Sequence, residues 1–324
     1  MISKRELLLG GLALAVPEVA HAQGVIRVPL KRTEDGDLTV QMTINNQGPF
    51  TFLVDIGSGI TSIRQSLSNS LNLQFIGDSL EPYVVEVGVQ LYPAYRMNAV
   101  DVVFGTDFAR RNVVFMRVPD AALASSGYDG VVGRALFLAE PDIIDFEAPE
   151  IRLYADGAMP LDGFQPVQAL VRRSGVNSSA IAMQCQFAGQ TEMLSVGTIR
   201  NGIYLTSAYV REHKLWDQFS EYREHTSKQD NSPNHSWDKY QGLLGAEPNL
   251  EKAPIRIVKL KDFAVGSFKM GEIDLWLSNP DIEDRVDEKV GFVGGDVISK
   301  FDIALGTKNQ VWLKPNASFE GAGA

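Results

Sequence analysis

Phe52-Leu53-Val54-Asp55-Ile56-Gly57-Ser58 and Met193-Leu194-Ser195-Val196-Gly197-Thr198 decide how this chain is read. Each is an apolar strand end running into a short polar turn with a glycine. The first carries Asp55 two residues before Gly57, and the second carries Ser195 two residues before Gly197. One frame thus occurs twice, with an acid in the first copy and a hydroxyl in the second.

The surroundings of the two copies also repeat. Leu38 to Ile44 alternates apolar and polar residues, the period of a half-buried strand. Asn45-Asn46-Gln47-Gly48-Pro49 is a turn cluster, and Phe50 to Val54 returns as the partner strand. A short strand over 60–63 and a helix within 64–73 follow. Ile181 to Phe187 alternates in the same way, Ala188-Gly189-Gln190 turns, and the chain returns to Ser195; a strand at 203–205 and a helix within 207–215 come next.

Further on, Val131-Val132-Gly133 and Phe292-Val293-Gly294 each precede a helical turn and a closing hairpin, at 142–154 and 301–313. The chain therefore divides into two units of one plan, 25–158 and 165–317. The second has an excess at 223–241, a polar stretch expected to form an exposed loop. Strands dominate and helices are brief, so a mostly β, two-lobed architecture is expected.

Residues 1–22 are set apart from this plan. Lys4 and Arg5 lead into a short apolar core, and Ala20-His21-Ala22 ends it, the pattern of an export signal. The mature protein is expected in the periplasm or outside the cell, without a membrane span. Cys185 is the single cysteine among 324 residues, which excludes an intrachain disulfide. Its apolar, alternating setting reads as a buried, inert thiol. A net charge of −10 with no basic cluster argues against nucleic acid.

Two fused lobes, each with an apolar-apolar-Asp/Ser-x-Gly frame after a hairpin and apolar-apolar-Gly before closing strands, resemble the aspartic peptidases, whose own loops read Asp-Thr/Ser-Gly. The motifs are similar to the retropepsin-like members, and the fused plan is similar to pepsin. The resemblance implies a two-lobed acid-protease-like β-barrel fold, a cleft for peptide or protein segments, no metal or cofactor, and a monomer whose lobes pair within one chain. It also implies a pair of carboxylates sharing a proton, one activating water and the other protonating the scissile carbonyl.

Asp55 matches the first carboxylate, and Ser195 takes the position of the second. Ile56, Gly57 and Ser58 continue the first site loop; Val196, Gly197 and Thr198 continue the other. Where the family has a hydroxyl residue after the aspartate, bonding across to the opposite loop, Ile56 and Val196 supply none. Acid–base assistance is worth roughly 10²–10⁴-fold per group, so loss of one partner predicts weak or absent hydrolysis.

Two functions follow, a peptide-binding pseudopeptidase or an active endopeptidase in which another group compensates. Among the other acids, Glu192 points to the opposite strand face. The resemblance puts Asp129, Asp296 and Asp302 where the family has structural polar residues, and Asp296 is placed to cap the helix after Gly294-Gly295. His213, His225 and His235 lack metal-ligand spacing. Tyr83, Tyr92 and Tyr95 fall where the family's flap hairpin stands, and Trp276 and Trp312 fit closing strands.

Overall fold

The computed structural model describes residues 24–34, 36–76, 83–87, 90–105, 108–123, 127–136, 140–171, 181–198, 202–225, 255–281 and 290–321, with the backbone alone at 83–87, 90–91, 135, 171 and 225. The expected leader at 1–22 and the 223–241 stretch beyond its first three residues lie outside these. Arg223–His225 itself is a strand, paired antiparallel with Ile255–Leu260, so that part of the expected loop is corrected.

The fold is mostly β and two-lobed, with short helices. Alternation sends one face of each strand into a barrel core. Phe52, Val54, Ile63, Phe115 and Val132 fill the first lobe, and Leu194, Val196, Ile203, Leu275 and Val293 the second. In the first lobe Leu38–Ile44 and Gln47–Asp55 form the expected hairpin. Gly130–Gly133 lies parallel to Gln47–Asp55 and antiparallel to Ser62–Arg64, which in turn lies parallel to Phe108–Val118. The second lobe repeats this wiring. Gly291–Gly294 lies parallel to Gln190–Gly197 and antiparallel to Ile203–Leu205, and the latter lies parallel to Ile273–Leu277. The expected helices are the short Gln65–Ser70 and Ser207–Glu212.

A six-stranded sheet joins the lobes. Its order is Val25–Pro29, Glu150–Tyr154, Asp142–Asp145, Phe301–Leu305, Val311–Pro315 and Gln165–Val167, three strands from each half of the chain. The halves meet where Ile143 registers with Ala304 and Ile144 with Ile303. Apart from Asp142, the buried positions of the paired strands Asp142–Asp145 and Phe301–Leu305 are apolar.

A buried ion pair ties this sheet to the first lobe's site strands. Arg134 Nη1 and Nη2 donate to the two oxygens of Asp142 at 2.8 and 2.7 Å. Arg134 also donates its backbone N–H to Ser58 O, one residue after Gly133. The pair is 2% and 0% exposed. Burial pushes the Asp142 carboxyl up to about 7 against the pull of Arg134, and burial draws Arg134 below its ordinary value.

Breaking such a pair strands a buried charge, whereas replacing both partners with apolar groups often does not destabilise. Asp142→Ala is therefore expected to cost about 3–5 kcal/mol in urea unfolding, and Arg134→Met with Asp142→Leu to recover most of it. The folded chain holds the Asp142 proton more tightly than the unfolded one. This group's contribution to stability thus falls as pH rises from the ordinary carboxylate range to about 7, and the double apolar variant should lose that slope.

Candidate functional site

Register decides which residues face each other. At the end of the first site strand Asp55 pairs with Gly133. At the end of the second, the residue paired with the matching Gly294 is Gly197, and Ser195 pairs with Phe292 further back. The counterpart of Ser195 in the first lobe is Leu53, paired with Val131. Ser195 is therefore not the residue opposite Asp55. It is an internal strand residue, 1% exposed, two positions short of the loop. Gly197, which has no side chain, is the register counterpart of Asp55.

The loops meet through Thr198. Its Oγ1 accepts the Ile56 N–H at 3.2 Å across a separation of 142 residues. Its hydroxyl donates to Asp55 Oδ1 at 3.0 Å and lies 3.4 Å from Val54 O. Asp55 Oδ1 also accepts the Thr198 N–H at 3.3 Å and the Gly57 N–H at 3.0 Å. Ile56 and Thr198 are equivalent positions, because Gln65–Ser70 and Ser207–Glu212 keep that same spacing of 142.

The expected loss of a hydroxyl cross-link is thus corrected. Val196 is not the position that carries it; Val196 is buried in the barrel core as the counterpart of Val54. The cross-link persists in one direction, from Thr198, while Ile56 offers a backbone N–H and no hydroxyl in return. Gly57 is required by the approach. A Cβ there would stand 1.8 Å from Val196 O and 3.2 Å from Gly197 Cα. Ser58 turns back on its own loop, with Oγ donating to Ile60 O at 3.0 Å and accepting the Ile60 N–H at 3.3 Å.

The remaining acids are engaged elsewhere. Glu192 accepts from Tyr209 Oη at 3.2 Å; burial first, and then this neighbouring acid, raises that phenol, and Glu192 lies on the strand face opposite Ser195 as expected. Asp129 Oδ2 accepts the Thr51 N–H at 2.8 Å. Asp296 does not cap its helix by side chain, contrary to expectation; Gly294 is the cap residue, and Asp296 Oδ1 accepts the Gly202 N–H at 2.7 Å. Burial raises the Asp296 carboxyl. Asp302 sits in the interlobe sheet opposite Lys314, and burial raises it too.

His213 stacks on Tyr209 at 4.1 Å, and Cys185 is buried, its thiol pushed up by burial. Tyr92 packs at the edge of an interlobe apolar cluster, Tyr95 packs edge-on to Phe75, and the Tyr83 side chain and His235 lie outside the described residues. Trp276 is buried in that cluster and Trp312 packs on the interlobe sheet. Among the described residues no group of three or more His, Cys, Asp or Glu is arranged for a metal ion, and no helix is long and apolar enough to cross a membrane.

The parts that sequence reasoning missed are Gly197 as the facing residue and Thr198 as the bridging one. A usable signal was present. The step from Asp55 to the first helix matches the step from Gly197 to the second, whereas Ser195 lies two residues too early.

No family model matches the sequence, and no curated protein matches it. Among solved structures, the chain is similar to a retropepsin-like aspartic protease from Rickettsia conorii, at 18% identity, over 40% of this chain and 91% of that one, with a TM-score of 0.30.

Thr198→Val removes the hydroxyl that serves both Ile56 and a buried carboxylate. It is expected to lower unfolding free energy by about 1–3 kcal/mol. Ser195→Ala leaves every contact of Asp55 with Thr198 in place and should cost clearly less in the same denaturation series.

Proposed function

We propose that this is an exported, non-hydrolytic protein of aspartic-peptidase-like build that binds peptide or unfolded protein segments between its lobes. Residues 1–22 act as the leader, and 25–158 and 165–317 act as the paired lobes of a monomer. The observation that carries the proposal is the identity of what faces Asp55, a glycine followed by a threonine whose hydroxyl and N–H both bond to Asp55 Oδ1.

Peptide hydrolysis by a carboxylate pair needs one group to accept a proton from water while the other donates to the carbonyl oxygen. Thr198 cannot take the acid's part near neutral pH, because its hydroxyl holds its proton far too tightly. Asp55 Oδ1 is already committed to three donors. The arrangement suits holding two loops together better than polarising water. Export is supported by the charged start, apolar core and small-residue end of the leader.

The test is incubation of the mature protein with reduced, unfolded casein from acid to neutral pH, beside Asp55→Asn. No cleavage above the variant's background is expected from the wild type, with casein retained by both. Cleavage by the wild type alone would establish the alternative, an aspartic-type endopeptidase using Asp55 with a compensating group.

A further inference from the structure

The strand faces turned away from the barrel cores carry matching rows of side chains. In the first lobe Leu53, Val131, Ser62 and Met116 stand side by side on successive strands. In the second lobe the same places are held by Ser195, Phe292, Tyr204 and Trp276, with Ile257 continuing the row. Leu53 shares its face with Asp55, two residues on, and Asp55 reaches Thr198 of the other lobe, so this face looks across the interlobe space. Here one expects the exposed walls of a cleft.

All but the half-buried Val131 are buried instead. Phe292, Tyr204 and Trp276 are 7%, 8% and 9% exposed. Leu53 and Met116 of the first lobe belong to one apolar cluster with Tyr204, Ile257, Trp276 and Phe292 of the second. The two rows therefore belong to one buried apolar cluster rather than lining open walls. We infer that the cleft is self-occupied: an apolar seam between the lobes competes with any incoming segment, and the Thr198 grip holds it shut.

The inference rests on the peptide-binding reading and narrows it. An aromatic side chain buries about 150–250 Å², so parting the seam exposes apolar surface that the ligand must cover again. A polar segment does not compensate for that surface. An extended segment with large apolar side chains at alternate positions does, since its period matches rows set at strand spacing. Apparent affinity is then the intrinsic affinity reduced by the fraction of molecules that are open.

The test uses the full mature chain with Trp216, Trp237 and Trp312 replaced by Phe, so that Trp276 alone reports on the seam. Acrylamide quenching and anisotropy of fluorescein-labelled reduced casein are measured together. Trp276 should be shielded in this background. Loosening the grip with Thr198→Val should raise its quenching and tighten casein binding about tenfold, the scale of a lost hydrogen bond or two to a buried carboxylate. Met116→Ala, which thins the seam and leaves the grip intact, should act in the same direction and serves if Thr198→Val fails to fold.

Casein binding that neither variant tightens, or a Trp276 as quenchable before loosening as after, would overturn self-occupation and leave the peptide-binding reading standing. Quenching that rises while no form binds casein would instead sink the peptide-binding reading, and with it any role of the seam in access.

Discussion

One hydroxyl holds the centre of this protein together. Thr198 Oγ1 accepts the Ile56 N–H while its own O–H donates a hydrogen bond to Asp55 Oδ1, so both site loops are fixed by a single side chain from the second lobe. The loops sit so close that Gly57 has no room for a side chain. Much of the remaining arrangement depends on that closeness. It brings the buried carboxylate against backbone donors from both lobes, and it faces the row on the first lobe with the row on the second.

The grip acts together with a larger scaffold. The six-stranded sheet draws three strands from each half, and the buried Arg134–Asp142 pair runs from that sheet to the strand beside Asp55. A one-way grip is weaker than a reciprocal one by at least one hydrogen bond, so the sheet and the apolar seam carry more of the interlobe contact here. Burial of aromatic surface is well suited to that role, and under the proposed peptide-binding function it competes with the ligand.

Much of the fold was legible because its two periods are plain. Alternation over 38–44 and 181–187, with turn residues after each, gives the hairpins, and the repeated apolar-apolar-Gly marks the central strands. The facing residue was harder to find. A shift of two residues in the second lobe preserves alternation, so Ser195 and Gly197 point to the same side and pattern alone does not separate them. Backbone register separates them, since Gly294 aligns with Gly197. The seam was also hidden, because Tyr204, Trp276 and Phe292 come together only through pairing of strands distant in sequence.

The central claim is that Asp55 is coupled to Thr198 rather than to Ser195. A double-mutant cycle measures this directly, with Asp55→Asn combined first with Thr198→Val and then with Ser195→Ala, each read by urea unfolding. The account predicts a coupling energy of about 0.5–3 kcal/mol in the first cycle and none beyond error in the second. Coupling confined to the Ser195 cycle would contradict it.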